Sequence, residues 1–142
     1  MTTQLEQSGS ASFYRTVFVV AALYDGILGV LIFALNGPIY RFFGIAFPEN
    51  LTYLQMISAF VFVQGVGYWY VSRDLQRNVD LVKVGTIYKA VYVLVSLGAL
   101  VNGQLPHPIF AWFAACDVLF LIGFARFLRL ARPAAPRLAA QA

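Results

Sequence analysis

One cysteine, one histidine and few charges are what this 142-residue sequence has least of. Cys116 alone excludes an intramolecular disulfide and a Cys-x-x-Cys redox pair. His107 alone excludes a bis-histidine haem site, and the two together cannot complete a tetrahedral Cys/His zinc site. No haem, zinc or disulfide redox site is therefore expected within one chain, and the residues name no other cofactor. Charged residues make up 11% of the chain, against roughly 25% in soluble domains. The basic ones form no run interleaved with stacking aromatics, so nucleic acid is not an expected partner. Residues 1–13 are polar and lack both a basic n-region and a small-residue cleavage site. The first apolar segment therefore reads as a retained helix, not a removed signal peptide.

What is present is apolar. Hydrophobic residues are 61% of the chain and the mean hydropathy is +0.74. Four runs reach or approach the ~20 residues a helix needs to cross a bilayer. They predict spans at about 14–35, 51–71, 81–101 and 109–130. The fold class expected is all-α: a polytopic membrane protein with four transmembrane helices in an antiparallel bundle. Residues 14–131 would form that domain, between a polar N-terminal segment and a flexible Pro/Ala/Arg tail at 132–142.

Asn36-Gly37-Pro38 is expected to end the first span, because glycine and proline both discourage helix continuation. The loop to Asn50 carries Arg41, Phe42, Phe43, Phe47 and Pro48, and its apolar content predicts a short interfacial segment. The aromatic cluster Tyr68-Trp69-Tyr70 is expected at headgroup level, where one edge of each ring is wet. With four spans, Arg15, Arg73, Arg77, Lys83, Arg126, Arg129, Arg132 and Arg137 share one side, and Arg41 lies on the other. By the positive-inside rule both termini are cytoplasmic.

The chain is organised around Leu23-Tyr24-Asp25-Gly26-Ile27-Leu28-Gly29, which puts a carboxylate inside the first span. At 1.5 Å per residue, Asp25 lies about 15 Å beyond Arg15. Gln64 lies nine residues before Arg73, Lys89 nine after Asp80 and Asp117 nine before Arg126, each about 13–14 Å deep. Four polar side chains from four helices thus fall at one level. A lone charge there costs roughly 2.5–3.5 kcal/mol on insertion scales, and Lys89 beside Asp25 or Asp117 would remove most of it. Tyr24, Tyr88 and Tyr92 flank the charges as hydrogen-bond donors for a carboxylate. Helical spacing sets Asp25 on a face with Ala21, Ala22, Leu28 and Gly29, and Lys89 with Gly85, Tyr92 and Ser96.

The layer has two readings: a register-fixing ion pair, or a site for a ligand, proton or substrate. The second aspartate favours the latter, because one lysine cannot match two acids. His107 reads as an exposed turn residue and Cys116 as an apolar filler without a histidine base.

Arg15 opening the first span, the glycines of Asp25-Gly26-Ile27-Leu28-Gly29, Pro48 in the following loop and four spans in this length resemble the plan of small DoxX-like bacterial membrane proteins. The usual lysine soon after the first-span glycines is replaced here by Asn36. The resemblance implies a bacterial inner-membrane location and an accessory role, and it transfers no active site. Three functions stay open. The chain binds a small hydrophobic or amphipathic ligand, such as a lipid or quinone, or serves as an accessory subunit in a homo-oligomer or larger complex. It is a proton-coupled small transporter, or it is a membrane enzyme using an Asp/Lys acid–base pair on a lipid-like substrate, the least favoured of the three.

Overall fold

The computed structural model describes residues 10–131; the N-terminal segment before Ser10 and the tail at 132–142, with Arg132 and Arg137, lie outside the described residues. All regular structure among the described residues is helical: α1 (Ala11–Phe43), α2 (Leu51–Arg73), α3 (Val79–Val101) and α4 (Ile109–Leu130). Each helix is long and apolar enough to cross a membrane. Tyr14 and Phe18 of α1 meet Phe127 and Phe124 of α4, and Tyr68 of α2 meets Phe124. Successive helices therefore run antiparallel, with Arg15, Arg73, Arg77, Lys83, Arg126 and Arg129 at one end, here called the basic end.

The first helix does not stop at Asn36-Gly37-Pro38. Pro38 has no N–H for the Ala34 carbonyl and its ring crowds that turn, but the disruption is confined to Leu35, where the backbone leaves helical values (φ −119°, ψ 25°). The Asn36 amide donates to the neighbouring Phe33 carbonyl at 3.0 Å. Two further turns follow the kink. They end at Gly44, whose φ of +65° is open to glycine without strain. The connection expected over 36–50 is thereby reduced to 44–50. Asn50 then caps α2 by accepting from the Thr52 N–H at 3.0 Å.

The α2–α3 turn is closed by polar side chains. Asp74 Oδ1 accepts from the Gln76 and Arg77 N–H groups, and the Asn78 amide donates to the Tyr70 and Asp74 carbonyls. At the opposite end, Ile109 N–H donates to His107 Nδ1 at 3.1 Å. His107 is half-buried against the edge of Phe43 (6.0 Å), not an exposed turn residue, because it satisfies a donor at the start of α4.

α1 and α2 form the most intimate pair, and glycine is the reason. A Cβ on Gly65 would lie 2.8 Å from Gly26 Cα and 2.9 Å from the Ala22 carbonyl oxygen; one on Gly29 would meet the Ser58 carbonyl at 2.8 Å. Both neighbours are backbone, so neither can rotate away. Small residues at this spacing let two helices touch through their main chains.

The distribution of polarity is inverted relative to a soluble bundle. Asp25, Lys89, Asp117, Ser58, Ser72 and Ser96 are buried, whereas Leu94, Leu119, Ile87 and Phe60 are each at least 65% exposed. Apolar exposure of this kind accords with four helices long and apolar enough to cross a membrane.

Gly65→Ala is expected to lower the stability of the purified protein by about 1–3 kcal/mol, the usual cost of overpacking. Gly67→Ala, whose methyl would meet nothing within 4 Å, should leave it unchanged or slightly raised. Thermal unfolding in detergent compares the two.

Candidate functional site

The four helices bring three of the sequence-selected residues into direct contact. Lys89 Nζ lies 2.6 Å from Asp117 Oδ1 and 3.2 Å from both Asp25 oxygens, donating to Oδ1 of each aspartate. One ammonium thus ties α3 to α1 and α4. Lys89 is fully buried, Asp25 is 2% exposed and Asp117 5%. Lys89 reaches this point because Gly85, one turn before it, allows Tyr68 close to α3. A Cβ on Gly85 would lie 2.6 Å from Tyr68 Oη.

Rings enclose the ammonium. The centroids of Phe120, Tyr24 and Tyr68 stand 5.0, 5.4 and 5.6 Å from Nζ. A cation shielded from water gains from π-faces at this range. They also hold the stem of Lys89 in one direction, toward the two carboxylates.

Two of those rings are not among the residues expected at the site. Tyr68 is 1% exposed and donates to the Gly85 carbonyl at 3.2 Å. Its ring is turned into the bundle and has no wet edge, unlike the exposed ring the Tyr68-Trp69-Tyr70 cluster predicts. Trp69 and Tyr70 do face outward, at 46% and 59% exposure. Adjacent helical residues point about 100° apart, so three rings in a row cannot share one role. The signals that could have found these rings were spacing: Tyr68 lies one turn beyond Gln64, and Phe120 three residues beyond Asp117.

The tyrosines expected as carboxylate donors do not act so. Tyr24 packs its ring toward Lys89 and against Phe120 (5.5 Å), and its hydroxyl is buried without a hydrogen-bond partner. Tyr92 donates to the Phe110 carbonyl at 3.5 Å. Tyr88 makes no hydrogen bond to either aspartate among the described residues. Gln64 lies at the level of the cluster, since its neighbour Gly65 abuts Gly26, yet its Nε2 is buried and unpaired. Asp25 Oδ2 is likewise buried with no hydrogen-bond partner, although it is 3.2 Å from Lys89.

No cluster of three or more His, Cys, Asp or Glu that could hold a metal occurs among the described residues. A groove of about 260 Å³ opens sideways between α1 and α2, lined by Gly29, Val30, Phe33, Ala34, Ser58, Ala59 and Phe62. It is apolar and includes none of the charged residues.

Lys89→Met is expected to cost about 3–5 kcal/mol, because it leaves buried carboxylates without their counter-ion. Adding Asp25→Asn and Asp117→Asn to Lys89→Met should restore much of that loss, since no uncompensated charge then remains. Unfolding midpoints of the single and triple variants check both statements. No protein-family profile, curated protein or solved structure matches the chain, so the likeness in plan to DoxX-like proteins assigns no family.

Proposed function

We propose that the chain is an integral membrane protein whose Asp25–Lys89–Asp117 cluster binds and releases a proton, and that it works in a proton-coupled process such as the movement of a small solute. Its outward apolar surface supports insertion in a membrane. The excess of basic residues at one end supports a cytoplasmic basic end in a bacterial inner membrane.

The observation that carries the proton reading is the charge of the cluster. Two carboxylates share one ammonium, and Asp25 Oδ2 has no hydrogen-bond partner beyond its 3.2 Å ion-pair contact with Lys89 Nζ. Fully ionised, the group carries one net negative charge in a place with little exposure to solvent. One proton makes it neutral. Asp117 holds the shorter contact with Lys89, 2.6 Å against 3.2 Å, so Asp25 is the acid we assign to proton uptake. The other titratable groups facing these carboxylates are Tyr24 from α1, Tyr68 from α2, and Tyr88 and Tyr92 from α3. None supplies a second positive charge.

This geometry favours a proton over the other occupants. The cluster is buried among rings, which gives a lipid-like substrate no approach to Lys89, so acid–base catalysis is not proposed. A second reading rests on the groove beside Gly29 and Phe33, which suits a lipid chain, a quinone or another apolar ligand. Occupancy there would not engage the charges. A bundle this narrow also supports action as a homo-oligomer or an accessory subunit.

Infrared titration of the protein in lipid vesicles tests the proposal. A carboxylic-acid carbonyl band should grow on acidification, vanish in Asp25→Asn and persist in Asp117→Asn. No titrating carboxyl in the wild type would overturn the reading.

A further inference from the structure

The two halves of the bundle are packed differently, and the cluster lies at their boundary. Toward the basic end, Tyr14, Phe18, Tyr68, Val71, Val82, Phe124 and Phe127 form one continuous buried core. Phe18 stacks on Phe124 at 5.0 Å and meets Phe127 edge-on at 5.1 Å, while Tyr68 lies 5.1 Å from Phe124. Tyr68 Oη is a polar atom within this core, and it is spent on the Gly85 carbonyl. A proton leaving Asp25 in this direction meets rings and aliphatic groups, and the hydroxyls of Tyr68 and the buried Ser72 there already donate to the Gly85 and Trp69 carbonyls.

The opposite half is built otherwise. The buried residues there are mostly small or polar: Gly29 on α1, Ser58 on α2, Ser96 on α3 and Ala114 on α4, with Val93 on α3 as an aliphatic member. Among the largest fully buried side chains, only Ser58 belongs to this half. Tyr92 and Ser96 follow Lys89 at three and seven residues, on the same helical face. Tyr92 Oη reaches the Phe110 carbonyl one turn short of Pro106, at the far end of the bundle. A broken line of hydroxyls and a carbonyl therefore leads from the charges toward the α3–α4 turn. The unpaired Tyr24 Oη stands at its inner end, near Asp25, Asp117 and Tyr92.

We infer that the Asp25–Lys89–Asp117 cluster exchanges its proton with one side only, the end opposite the basic residues, along the face of α3 that carries Tyr92 and Ser96. With the orientation proposed above, that side is the outside of the cell. The inference rests on the proton reading for what moves, but the path itself is a property of packing and can be tested separately.

The test uses cysteine accessibility in native membranes, with Cys116→Ala removing the only endogenous thiol. Ser96→Cys and Ala114→Cys place thiols in the open half, and Val82→Cys places one in the aromatic core. A small, membrane-impermeant methanethiosulfonate is applied from each side in turn. The expected result is loss of free thiol at Ser96→Cys and Ala114→Cys from the side opposite the basic end, with Val82→Cys unreacted from either side. Modification of Val82→Cys from the basic end, or protection of both open-half cysteines, overturns the inference. Acidifying only one face of sealed vesicles gives the second readout: the Asp25 carbonyl band should respond to the side opposite the basic end. A band that follows the other face overturns the path, whereas a band that never appears overturns the proton reading instead.

Discussion

The ammonium of Lys89, held between two aspartates from different helices, is the contact on which the rest of the structure depends. In a setting where apolar side chains face lipid, hydrophobic burial does little to hold helices together. Association then has to come from close packing and from polar groups that have no other partner. Lys89 supplies the second kind for three of the four helices at once. The helices must meet at one depth and in one rotation for its Nζ to reach Asp25 and Asp117 together, and that requirement fixes register along the whole bundle.

Close packing supplies the first kind, and it is concentrated where the charges need it. Gly26 and Gly65 bring α1 and α2 into main-chain contact immediately beside Asp25. Gly85 does the same for Tyr68 against α3, one turn from Lys89. The glycines and the charged residues are thus parts of one arrangement. The first set the distances at which the second can pair, and the rings of Tyr24, Tyr68 and Phe120 fill the space left around the cation.

The four helices and the depth of the polar layer were legible in the sequence because both follow from counting. Apolar runs of about 20 residues and a rise of 1.5 Å per residue need no knowledge of packing. The pairing of Lys89 was legible for the same reason, since a charge at that depth needs a partner. Rotation about the helix axis was less legible. Tyr68 turns inward while Trp69 and Tyr70 turn out, and composition gives the same expectation for all three. The tyrosine hydroxyls were misplaced for a related reason: a ring next to a cation can offer its face or its oxygen, and only the surrounding packing decides. Pro38 misled differently. Proline interrupts one ladder bond, and here the local departure at Leu35 absorbs that interruption, so the chain resumes as helix to Phe43.

The composition of the cluster separates a structural role from a working one. A bundle that needed only a register device would be served by one lysine and one aspartate, which are neutral together and leave no charge in the hydrocarbon. The second aspartate lowers the symmetry of that solution and raises its electrostatic cost. It also divides the acids by environment: Asp117 Oδ1 sits at 2.6 Å from Nζ, whereas both Asp25 oxygens stand at 3.2 Å. A pair of carboxylates with unequal claims on one cation is the arrangement in which a single proton comes and goes while the ion pair that holds the helices stays intact. On the proposed proton reading, Asp117 would hold the ion pair while Asp25 changed its charge, and the bundle would not need to come apart.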